Sequence, residues 1–185
     1  MATKNSTSSS CRQSVADIDA LEISRIRDKM FAQSDVWYGF RLIVLGNFYS
    51  SKPSAKVAAE QGLSRDEMSV LASLHYWSGL TANIICALTG RPKNSISRAV
   101  ILLSKDGLIS GRIDEADRRR SILTIEAQGT ALYEEAAATF REREKEMFGC
   151  LTKGEMTALD MILRKLLQNW EKRLAAGIDD YVVEY

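Results

Sequence analysis

Histidine, cysteine and proline are scarce in this chain of 185 residues, which has one His, three Cys and two Pro. Cys11, Cys86 and Cys150 stand far apart with no C-x-x-C pair, and the single imidazole is His75, so neither a disulfide framework nor a His/Cys zinc site is supported. No metal or other cofactor is expected. The chain also lacks a Gly-rich phosphate loop, a G-x-S-x-G segment and any carboxylate cluster beyond exposed helix faces. Base, nucleophile and oxyanion donors therefore have no source, and an enzyme is not expected. Long apolar runs are missing as well: stretches such as residues 40–45 and 99–103 fall far short of the roughly 20 residues a membrane span needs. The first 14 residues are rich in Ser and Thr without the apolar segment of a secretory signal. Residues 1–16 thus read as a disordered tail, and the protein as soluble and cytoplasmic.

What is present is helical periodicity and one hairpin. With 45% hydrophobic residues the chain can bury one sizeable core. Residues 17–31 space Ile18, Leu21, Ile23, Ile26 and Met30 as an amphipathic helix. A second helix is expected from Ser34-Asp35, breaking or kinking at Pro53 before residues 54–61 resume it, with Gly62 closing the segment. Ser64-Arg65-Asp66-Glu67 is a capping box and predicts a helix over 65–76 with Met68, Leu71 and Leu74 on one face. Thr81 caps a helix over 82–88 that turns Ile84, Ile85 and Leu88 inward, and Gly90 closes it. Pro92 suits the first turn of the next helix, whose buried stripe is Ile96, Val100 and Leu103. After Gly107, residues 108–113 and 120–125 read as antiparallel strands joined by a charged tip, Asp114 to Arg120. Two long helices follow, over 126–148 and from the capping box Thr152-Lys153-Gly154-Glu155 to about 176.

Two short helices followed by a charged hairpin make a winged helix-turn-helix. The fold class is mainly α with a small β-hairpin wing. Lys93, Asn94, Ser95, Ser97 and Arg98 begin the second helix with small polar and basic side chains that suit a DNA major groove. Asn94, Ser95 and Ser97 would meet bases or phosphates, whereas Arg98 either reads a base or positions the backbone. In the wing, Arg118 or Arg119 is placed for a narrow minor groove, and Asp117 is expected to pin the hairpin by pairing with an arginine. The net charge of +1 hides an asymmetry: residues 1–80 hold nine Lys/Arg against eight Asp/Glu, residues 81–125 eight against four, and residues 126–185 eight against twelve, giving +1, +4 and −4. Positive charge therefore sits where phosphate would be met.

Residues 34–176 resemble the MarR (multiple antibiotic resistance regulator) family of bacterial transcription factors. The helix entry GLSRDEMSVLASL, the recognition segment KNSISRAVILLSKDGLI and the wing DRRRSILTIEAQG occur in the family's order. There an Asp-x-Arg pair precedes a strand ending four residues before a Gly; Asp117 and Arg119 fill the pair and Gly129 the glycine. Glu126 stands where the family usually has a capping Thr. The resemblance implies a homodimer whose first and last helices interlock, with two winged helices reading a pseudo-palindromic operator. The apolar load of those helices, Trp37, Phe40, Leu42, Ile43, Leu45 and Phe48 early and Leu163, Leu166, Leu167 and Trp170 late, agrees with this. The resulting organisation is a tail over 1–16, dimerisation helices over 17–62, the DNA-binding winged helix-turn-helix over 63–125 and further dimerisation helices over 126–185.

The resemblance also implies a small aromatic or phenolic effector, held between the dimerisation helices and the winged helix. Trp37, Tyr38, Arg41, His75, Tyr76 and Trp77 are its expected lining, unless these aromatics are ordinary core and interface residues. A redox-sensing branch of the family uses a reactive thiol near the first helix. Here Cys11 lies in the tail, Cys86 beside Ile85 on an apolar helix face and Cys150 in a helix connection, which favours inert thiols. The expected function is a ligand-responsive repressor. A cysteine-based redox repressor and a winged-helix protein-interaction module that does not bind DNA are the alternatives.

Overall fold

A computed structural model describes residues 20–113, 115, 118 and 120–175. The chain divides into two compact units, residues 1–46 and 47–185. In the first, helix α1 (Ala20–Ala32) is followed by the opening turns of α2 (Trp37–Gln61), which crosses the division. Their contact is aromatic. Phe31 is buried, with Trp37 edge-on at 5.0 Å and Phe40 at 5.7 Å. Leu21, Ile26, Met30, Leu42 and Ile43 of this unit are exposed. Ser34 accepts from the Val36 amide at 3.2 Å, so α2 begins two residues after the Ser34-Asp35 start read from the sequence.

Of the break or kink expected at Pro53, the break does not occur: α2 runs from Trp37 to Gln61 with Pro53 inside it. Proline cannot donate to the carbonyl four residues back. Its ring is buried, however, and apolar burial offsets the lost hydrogen bond.

The second unit holds the core. Helix α3 (Arg65–Tyr76) starts at the anticipated capping box: the Glu67 amide donates to Ser64 Oγ at 3.2 Å, and the Ser64 amide donates to Glu67 Oε2 at 2.8 Å. The Glu67 side chain is buried by this role. Helices α4 (Ala82–Thr89) and α5 (Lys93–Lys105) follow, separated by three residues. Thr81 Oγ1 accepts from the Ile84 amide at 3.4 Å, and Gly90 ends α4 in the left-handed conformation at φ 68°, which glycine adopts without a Cβ clash. Strands β1 (Ile109–Ile113) and β2 (Ser121–Ile125) pair antiparallel with Ile109 opposite Ile125 and Ile113 opposite Ser121. Leu80 adds an isolated bridge to Leu123. Helix α6 (Ala127–Phe148) begins after Glu126, which makes no side-chain cap, and α7 (Lys153–Ala175) opens on the Thr152–Glu155 capping box.

Val57, Val70, Leu71, Leu74, Ile85, Ile96 and Leu103 are fully buried, so α2, α3, α4 and α5 share one core. Each such aliphatic contributes about 1.5–3 kcal/mol. One expectation for α4 is corrected. Ile85 is buried, but Ile84 is 45% and Leu88 65% exposed, and Cys86 is buried instead. An eight-residue helix with six apolar side chains cannot aim all of them at a single neighbour, and the approach of α3 and α5 selects Ile85 and Cys86.

Candidate functional site

The polar face of α5 is set by its own periodicity. Ile96, Ala99 and Leu103 are buried, which turns Asn94, Arg98, Ile101 and Lys105 to the opposite side, all exposed. Lys93 is exposed beside them, whereas Ser95 and Ser97 are half-buried on the two flanks. Ser95, Asn94 and Arg98 border a cleft of about 330 Å³ whose other wall is Ser64 and Asp66 at the start of α3. Five expected contact residues thus lie in one helix, but on three aspects of it. The sequence reading stopped at Arg98; Ile101 and Lys105 extend the same face, and a count continued at i+3 and i+7 would have found them.

Arg112, Arg118 and Arg120 are exposed around β1 and β2. Asp117 and Arg119 lie outside the described residues. The base of the hairpin is tied to the core by hydrogen bonds from the Gly79 amide to the Leu123 carbonyl at 3.0 Å and from the Leu123 amide to the Leu80 carbonyl at 2.8 Å. The Glu126 amide donates to the Leu108 carbonyl at 3.0 Å. At Gly129 a Cβ would stand 2.1 Å from that same Leu108 oxygen, so only glycine permits the approach of α6 to the foot of the wing.

The second unit also contains a cavity of about 450 Å³ between α2, α3, α6 and the end of α4. Tyr49, Tyr133 and Phe140 supply its aromatic walls, and Arg65 and Arg91 its cations. No Asp or Glu is among its lining residues, as far as the described residues go. Arg65 donates to Ser50 Oγ on α2. Arg91 pairs through Nε and Nη2 with Oδ1 of Asp66. Burial, reinforced by the charge of Glu144 and a hydrogen bond to it, pushes the Tyr49 phenol up to about 12. Burial also raises Tyr133, whose hydroxyl donates to that of Tyr76 at 3.4 Å. At neutral pH both phenols are neutral donors.

The residues expected to hold an effector do not line this cavity. In the first unit, the Arg41 guanidinium lies 3.6 Å from the Trp37 ring centroid and 5.0 Å from that of Phe31, with Tyr38 exposed. In the second unit, His75 Nε2 meets Glu134 Oε1 at 3.1 Å and its ring lies tilted against that of Tyr133, with centroids 4.5 Å apart. Tyr76 and Trp77 are exposed. Sequence reasoning missed Arg65 and Arg91 because they come from separate elements, and no spacing in the sequence links them to Tyr49 or Phe140. Of the thiols, Cys86 is buried, which raises its pKa, and Cys150 is exposed.

No protein-family model matches the chain. The HTH-type transcriptional regulator YwaE of Bacillus subtilis is 30% identical over 118 residues, which are 64% of this chain and 69% of YwaE. Among solved structures, a MarR family transcriptional regulator from Silicibacter pomeroyi is 27% identical with a TM-score of 0.62, over 72% of this chain and 90% of that one. MepR of S. aureus, solved as a DNA complex, superposes at 0.61 with 22% identity over 71% and 97% of the two chains. A MarR family protein of Mycobacterium tuberculosis in complex with p-aminosalicylic acid superposes at 0.57 with 21% identity over 70% and 97%. The last two likenesses speak to the fold alone. Among the described residues, no helix is long and apolar enough to cross a membrane.

Proposed function

Because the chain belongs to the MarR family of DNA-binding transcriptional regulators, whose members are not enzymes, we propose that it works as a homodimeric repressor, released from a pseudo-palindromic operator by a small aromatic acid. The observation that carries the DNA-reading part is the exposed face of α5 bearing Asn94, Arg98 and Lys105, opposite its buried stripe. On this reading Lys93 to Arg98 enter the major groove, with Asn94 and Arg98 central and Ser95 and Ser97 at the margins. Arg118 and Arg119 of the wing take the flanking minor groove, and Asp117 holds the hairpin. The existence of a MepR–DNA complex on the same fold supports this.

Dimerisation is assigned to residues 17–62 and 126–185. The exposed Leu163, Leu166, Leu167 and Trp170 of α7 are its strongest support, since a large contiguous apolar face is costly in water. The effector is assigned to the 450 Å³ cavity in place of the Trp37–Arg41–His75 group. Its size suits a small ligand, and two guanidiniums among aromatic rings suit an aryl carboxylate. The p-aminosalicylic acid complex of the M. tuberculosis relative supports that ligand class.

The test is anisotropy of a labelled duplex, selected by the purified protein from a random pool, over a range of salt. Two basic winged helices per dimer should give a log–log slope of several units, at about 0.9 per neutralised phosphate. A flat salt dependence would overturn DNA reading and favour a protein-interaction module.

A further inference from the structure

The 450 Å³ cavity and the turn leading into α5 share one residue, Arg91. Its backbone has little freedom. Gly90 before it is left-handed at φ 68°, and Pro92 after it caps α5 at φ −58° and ψ 143°, while a residue preceding proline is confined to extended geometry. The side chain is the turn's tether, because it pairs with Asp66 in the first turn of α3. That pair is 33% exposed on the arginine and 23% on the aspartate, so water screens it in part and a second carboxylate can compete with it.

Resting on the assignment of the effector to this cavity, we infer that Arg91 is the switch by which occupancy reaches DNA. An anionic ligand draws the Arg91 guanidinium from Asp66 into the cavity. The turn between α4 and α5 loses its tether to α3, and the population shifts away from the placement of α5 that fits a major groove. A ligand shifts such an equilibrium only by its differential affinity for the two states, and capture of Arg91 supplies that difference. Linkage then requires DNA, which favours the intact pair, to weaken the ligand by the same factor.

The experiment uses the full chain, p-aminosalicylate as probe, calorimetry for the ligand and the pool-selected duplex for DNA. Asp66→Asn removes the competitor but keeps Arg91. It should bind p-aminosalicylate about two- to fivefold tighter than the parent, the range open to a partly exposed pair. Its duplex affinity should fall without ligand and respond little to adding it. Asp66→Glu should restore the parental values, and Arg91→Gln should bind p-aminosalicylate more weakly than the parent. A purely structural ion pair would not tighten ligand binding when broken. Unchanged or weaker p-aminosalicylate affinity in Asp66→Asn, with the parent binding normally, overturns the switch and leaves the effector site standing. Failure of p-aminosalicylate, salicylate and benzoate alike to bind the parent overturns both.

Discussion

Replacing Gly129 with alanine sets helix propensity against packing, and the two predict opposite signs. Propensity alone favours Gly129→Ala by up to about 1 kcal/mol, less in the first turn of α6 than in its interior. Packing opposes it. The new Cβ would lie 2.1 Å from the Leu108 carbonyl oxygen and 3.0 Å from Ile125 Cγ1, whereas a carbon–oxygen contact settles at roughly 3.3 Å or more. The start of α6 must therefore move by about 1 Å relative to the foot of the wing, the shortfall between those separations. The atoms in the way are backbone and a β-branched side chain, so no flexible end can yield. The same Leu108 oxygen accepts from the Glu126 amide at 3.0 Å, and the shift stretches that bond. Overpacking costs about 1–3 kcal/mol and a weakened hydrogen bond about 1 kcal/mol, so the net expectation is destabilisation by about 1–3 kcal/mol. Urea unfolding followed by circular dichroism should show a lower midpoint with an unchanged slope. Parent and variant must be compared at one protein concentration, because dimerisation shifts apparent stability. A midpoint that stays or rises would refute the packing argument.

Arg98→Ala should lower the salt slope of duplex binding by about one unit if Arg98 neutralises a phosphate, and leave it unchanged if it reads a base. Asn94→Ala should cost about 1–3 kcal/mol against the selected duplex but much less against duplexes already altered at the base pair it reads. An equal loss on every duplex would remove Asn94 from base readout. In a Cys11→Ser chain, a thiol reagent near neutral pH should label Cys150 promptly and Cys86 only on unfolding, since burial both shields Cys86 and raises its pKa. Two fast thiols would reopen the redox reading.

The helix boundaries were legible in the sequence because their causes lie within one turn of chain. Ser64 with Glu67 and Thr152 with Glu155 form capping boxes from residues three apart, and Gly90 and Gly107 take positive φ where helices end. The polar face of α5 was legible for the same reason, since the 3.6-residue repeat that buries Ile96, Ala99 and Leu103 exposes Asn94 and Arg98. Tertiary structure decided the rest. Pro53 stays inside an unbroken α2 because its ring finds a buried place, which no local rule foresees. Ile84, Ile85 and Leu88 were the residues of α4 expected in the core, and only the directions from which α3 and α5 approach put Ile85 and Cys86 there instead. The cavity is the clearest case. Arg91 and Asp66 are 25 residues apart and meet because α3, α4 and α5 pack around one core, and Tyr49 and Phe140 join the same cavity from farther still. Contacts across such separations depend on how whole helices lie against one another, and that arrangement minimises the free energy of the entire core rather than of any segment of chain.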